Sequence, residues 1–88
     1  MSVADVDARF QQAVALVDAG RLGDADAICN ELLAILPDAP SVLFLRGLIA
    51  ARQGDLSRAI PLVTRAAAGE PENASFHAVL GAFLVESG

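Results

Sequence analysis

Cys29 and His77 are the one cysteine and the one histidine of an 88-residue chain, and they are the natural candidates for a nucleophile and its base. A thiol–imidazole pair also needs a third group to orient the imidazole and donors to receive an oxyanion, and the sequence supplies neither. Cys29 stands instead at a large-residue position of an apolar-periodic run, where a free cysteine behaves as a small core hydrophobe. Acids recur two residues apart at Asp5 and Asp7, Asp24 and Asp26, and Glu70 and Glu72. Paired carboxylates can hold a metal or share a proton, but residues i and i+2 of a helix do not face each other. The first two pairs fall near expected helix starts, where carboxylates meet the positive end of the helix dipole. They read as capping and solubility. Gly20 and Gly23 resemble a piece of a phosphate loop, yet no strand precedes them and no GK[ST] follows. No catalytic, metal or cofactor-binding residue is expected, and the chain is not expected to be an enzyme.

The elements that would carry any site must fit one small domain, near the size at which a single core is only marginally stabilising. The composition is 55% hydrophobic with a formal net charge of -5. Phosphate-backbone binding rests on clustered Lys and Arg, whereas this chain has no lysine and its arginines are scattered at Arg9, Arg21, Arg46, Arg52, Arg58 and Arg65. Nucleic acid is therefore not an expected partner. No apolar run approaches the roughly 18 to 20 residues of a membrane span, and the acidic N-terminus lacks the cationic start of a secretory signal. One cysteine forms no internal disulfide, which suits a reducing compartment. A cytoplasmic protein without membrane contact is expected.

The chain repeats itself at one fixed interval: Gly20, Gly54 and Gly88; Ala13, Gly47 and Gly81; Ala25 and Ala59; Ile28 and Leu62; Pro37 and Pro71; Phe10 and Phe44. Within each interval the apolar residues follow three- and four-residue spacing. Val6, Phe10, Ala13, Val14 and Val17 predict a helix ended by a left-handed Gly20. Leu22, Ala25, Ile28, Leu32 and Ile35 predict a second, ended before Pro37. A third should start near Pro40, where proline at the first helical position forfeits no needed donor, and end at Gly54. Asp55 can cap a fourth, running through Leu56, Ala59, Ile60 and Val63 and stopping before Gly69. Pro61 lies past its first turn and should kink it or tighten its start. Residues 73–87 repeat the first helix with Phe76, Leu80, Phe83 and Leu84.

Helix-turn-helix units that recur every ~34 residues resemble the tetratricopeptide repeat. The second unit carries the pattern at Leu43, Arg46-Gly47, Ala50, Gly54-Asp55, Ala59, Val63, Ala66 and Pro71. The first carries it at Arg9, Gln12-Ala13, Leu16, Gly20, Ala25, Cys29, Leu32 and Pro37, and the third at His77, Leu80-Gly81, Leu84 and Gly88. Arg46 and Gln12 stand where the family usually has leucine, and Arg9 and His77 where it has a bulky aromatic. Arg46 should snorkel out along its stem. The resemblance implies an all-α domain of antiparallel helix pairs forming a short right-handed α-solenoid of five helices, with repeat 1 over residues 6–39, repeat 2 over 40–73 and a partial repeat 3 over 74–88.

It also implies a protein–protein interaction scaffold whose concave face is lined by the first helix of each unit. One subset of the family grips a peptide's terminal carboxylate with Lys, Asn and Arg. The matching places here hold Phe10, Val14, Leu45, Ser75 and Val79, so that clamp is absent. The expected concave-face binding residues are Phe10, Val14, Val17, Phe44, Leu48, Ala51, Arg52, Ala82 and Val85. They form an apolar strip suited to a helical or extended peptide; alternatively, so short a curl makes no groove and these residues touch neighbouring helices. The third unit lacks its second helix, leaving Phe76, Leu80, Phe83 and Leu84 as expected self-association residues, and a homodimer is expected. The alternative reading is the N-terminal region of a larger bacterial enzyme, of glycosyltransferase, sulfotransferase or aspartyl/asparaginyl hydroxylase type, serving dimerisation or substrate presentation.

Overall fold

The computed structural model describes residues 2–88, and over them the protein is all-α. Five helices follow one another: α1 (Val3–Asp18), α2 (Leu22–Ile35), α3 (Pro40–Arg52), α4 (Leu56–Gly69) and α5 (Ala74–Ser87). Each packs against the next, and α1 also touches α3.

The repeat seen in residue types returns in the backbone hydrogen bonds. Gly20 and Gly54 both adopt the left-handed conformation, with φ of 80° and 82°. At the first, Arg21 N donates to the Leu16 carbonyl (2.8 Å) and Gly20 N to that of Val17 (3.0 Å); at the second, Asp55 N donates to Ala50 (2.9 Å) and Gly54 N to Ala51 (3.0 Å). Each is the paired 6→1 and 5→2 closure that satisfies the carbonyls left over at a helix end. The other boundary repeats as well: Leu36 N donates to Leu32 and Ala39 N to Leu36, and one repeat later Glu70 N donates to Ala66 and Asn73 N to Glu70.

The starts differ because their residues differ. Ser2 and Asp5 form a capping box at α1, which begins at Val3, earlier than the apolar spacing from Val6 suggests. Pro40 opens α3. The Asp55 carboxylate accepts from Arg58 N at α4, and Asn73 Oδ1 accepts from Phe76 N at α5. Pro61 does not interrupt α4, which runs unbroken to Gly69. Pro61 and Ser57 are both exposed, so water can meet the Ser57 carbonyl that lacks a helical partner.

Two core clusters overlap along the stack. Ala13, Ile28, Cys29, Leu32, Val42 and Ile49 join α1, α2 and α3, and Leu43, Ala66, Ala67 and Phe76 join α3, α4 and α5. Small residues mark the helix crossings. A Cβ added to Gly47 would lie 2.6 Å from Val63 Cγ2 and 3.3 Å from the Ala59 carbonyl, so glycine is what lets α3 and α4 approach this closely.

Arg46 does not run out to water. Its half-buried guanidinium meets Asp26 of α2 at 3.2 Å, because that carboxylate lies within reach and a desolvated cation is costly without a partner. Arg9 likewise pairs with Glu31 of α2. Arg9 and Arg46 thus tie α1 and α3 to α2 by charge.

Candidate interaction surfaces

The first candidate surface is built on α1, α3 and α5. A shallow depression of about 310 Å³ lies there, lined by Val17, Leu48, Ala51, Arg52, Phe83 and Glu86. Each helix contributes from its C-terminal half, because the residues follow one another at helical spacing along the same side of the stack. Arg52 Nη1 donates to the Val17 carbonyl at 3.3 Å. That carbonyl belongs to the last turn of α1, whose partial negative charge favours a cation. The bond fixes the guanidinium at the rim while leaving the side chain exposed.

The other residues expected on a concave face are placed differently from one another. Phe10 and Val14 are half-buried against the core of the first three helices, and Val17 is buried within that core. Phe44 stacks on Phe76, with ring centroids 4.5 Å apart and planes inclined at 32°. Its ring therefore joins α3 to α5. Ala82 and Val85 are exposed. The structure thus brings together Val17, Leu48, Ala51 and Arg52, and adds Phe83, which sequence reasoning assigned to the open end of the stack. A one-residue difference in where α5 faces moves a side chain by about 100° around the helix, so periodicity alone does not settle which side Phe83 takes.

The second candidate surface is the outer side of α5. Of the residues expected there, Phe76 requires correction: it is only 5% exposed, covered by Leu43, Ala66 and Ala67, because the fifth helix packs its first turns onto α3 and α4. Leu80 and Phe83 are half-buried. Leu84 is 52% exposed and Val85 83%. Gly81 has nothing within 4 Å of where its Cβ would be, although it stands one full repeat after Gly47.

The residues that could do chemistry are occupied otherwise. Cys29 is wholly buried, and burial first, then the Asp26 charge, raise its thiol pKa from 9.0 to about 11. A thiol in that state is a poor nucleophile. His77 is exposed on α5, with Nε2 2.6 Å from the Pro71 carbonyl; a carbonyl only accepts, so Nε2 carries the proton. Asp24 pairs with Arg21 at 2.6 Å, Asp26 with Arg46, and Glu70 accepts from Asn73. Among the described residues no group of three or more His, Cys, Asp or Glu side chains is arranged to hold a metal ion. No helix there is long and apolar enough to cross a membrane. A larger depression of about 500 Å³ is lined by the consecutive residues Glu70, Pro71, Glu72 and Asn73 and is the outside of a turn. No protein-family model matches the chain.

Proposed function

We propose that this protein is a protein–protein interaction scaffold that pairs with a second copy of itself through the outer side of α5. The observation that carries this reading is the contrast between Gly47 and Gly81. At Gly47 the space a Cβ would need is filled by α4; at the position one repeat later the same space is open. A small residue there permits another helix to approach as closely as α4 approaches α3.

Composition supports the same reading. Across the 14 residues of α5 the one charged side chain is Glu86, and apolar residues lie on all its sides. A helix apolar all round is usually a covered one. The chain as a whole carries a net charge of -5, so two copies repel over most of their surfaces. The outer side of α5 is the region where they can meet without opposing carboxylates until its last turn. Leu84 and Val85 supply the apolar area, each side chain worth roughly 1.5 to 3 kcal/mol when fully buried.

The test is light scattering behind size exclusion across a dilution series. The expected result is twice the chain mass of 9.1 kDa at high concentration, falling towards the single-chain mass on dilution. Leu84→Glu should give the single-chain mass throughout while keeping the helical circular dichroism spectrum. A single-chain mass for the unaltered protein at millimolar concentration would overturn the pairing. A second reading, peptide binding on the concave side, is favoured by the depression between α1, α3 and α5.

A further inference from the structure

Arg52 stands apart from the other arginines. Among the described residues Arg9, Arg21, Arg46, Arg58 and Arg65 each have a carboxylate oxygen within 4.0 Å. Arg52 has none, although the chain carries 11 acids against six bases. Asp18, beside the Val17 carbonyl that Arg52 contacts, does not reach it within that distance. Glu86 lines the same depression and does not pair with Arg52 either. The floor between them is Val17, Leu48, Ala51 and Phe83.

From this arrangement we infer that the depression seats one large apolar side chain of a partner peptide, and that a carboxylate neighbouring it in that peptide pairs with Arg52. The inference rests on the scaffold reading and names the chemistry of a partner for its concave side. A volume of about 310 Å³ is at the low end for ligand sites, with room for a large side chain but not for a whole helix. The guanidinium is held at the rim by the end of α1, so it is already oriented, and its remaining N–H groups are free to form charge-assisted bonds. An excess of acid on the protein disfavours acidic peptides everywhere except beside an uncompensated cation. Glu86 makes the site polar in direction: a carboxylate is favoured on the α3 side and repelled on the α5 side.

Fluorescence anisotropy with three fluorescein-labelled peptides tests this. Each is a 16-residue alanine- and glutamine-based helix with leucines at i, i+3, i+4 and i+7; one carries Glu beside the leucines, one Gln and one Lys. The Glu peptide should bind about two- to fivefold more tightly than the Gln peptide, the range of a rim ion pair, and this advantage should shrink as salt screens it. Arg52→Gln should erase the difference, and Arg52→Glu should transfer the preference to the Lys peptide. Phe83→Ala should weaken all three alike. Equal affinities for the unaltered protein, a Glu preference that survives Arg52→Gln, or no binding at millimolar concentration would each overturn the inference.

If Arg52→Gln fails to fold, the Glu–Gln–Lys ranking on the unaltered protein and its salt dependence still decide. Leu84→Glu separates this inference from the pairing of copies. It should abolish the dimer and leave the peptide preference intact. Loss of all peptide binding in Leu84→Glu would place the peptides on the outer side of α5, overturning this inference while leaving the scaffold reading standing.

Discussion

Gly47 and Gly81 occupy the same place in successive repeats, yet the same substitution should have opposite effects on them. Gly47→Ala puts a methyl group 2.6 Å from Val63 Cγ2, and a core with no room loses about 1 to 3 kcal/mol on overpacking. Gly81→Ala meets nothing within 4 Å. Replacing glycine inside a helix should then stabilise the separate chain by roughly 0.5 to 1 kcal/mol, while weakening any association that uses the close approach. Denaturant melts of both variants at low concentration check the pair, and a destabilised Gly81→Ala would show that its face is already covered within the chain. Cys29 gives a second residue-scale prediction. Its folded-state pKa is raised, so the native thiol keeps its proton while the unfolded thiol ionises. Its contribution is therefore complete below pH 9.0 and lost as pH rises towards about 11. Cys29→Ala should lack that alkaline loss, and a thiol reagent at pH 8 should modify the native protein no faster than it opens. Rapid modification of folded protein would place the thiol at the surface.

At the scale of elements, four helix ends follow rules that single residues announce: left-handed glycines close α1 and α3, and Asp55 and Asn73 cap α4 and α5. Asp55 is held below its ordinary pKa of 3.8, first by the Ser57 hydroxyl and then by Arg58 N. A lowered carboxyl pKa means the cap contributes fully above about pH 3.8 and is lost as pH falls through the lower, folded value. Acid melts of Asp55→Asn should therefore show a shallower decline below about pH 4 than the parent; an unchanged slope would mean the cap does not govern α4. Pro61 is the exception to the rules. It deprives the Ser57 carbonyl of its helical partner, and proline in a helix interior is about 3 kcal/mol less favourable than alanine. Pro61 is exposed, so Pro61→Ala should restore the bond and raise the melting temperature. A lower melting temperature would mean the ring makes packing contacts that outweigh the missing bond.

At the scale of the whole molecule, each helix leans on its sequence neighbours, so stability passes along the stack from contact to contact. Among the described residues, α5 has a side without a neighbour around Gly81. A second copy binding there adds stability by mass action, so the melting temperature of the unaltered protein should rise with protein concentration while that of Leu84→Glu stays constant. Identical melts at all concentrations would argue against pairing.

The helical periods, the interval at which residue types recur and the helix ends other than the start of α1 were legible in the residues alone. Those depend on local chemistry: spacing of apolar residues, glycine's access to positive φ and the reach of a side chain to the backbone three residues on. The sequence also marked Gly47 and Gly81 as equivalent. Long-range packing alone sets that one is filled and the other open, that Phe76 is covered while Leu84 is not, and that Phe83 turns towards Arg52. It alone matches Arg46 with Asp26 and leaves Arg52 without a carboxylate. These outcomes depend on which side of each helix meets another and on distances between residues far apart in the chain, and no local spacing encodes either.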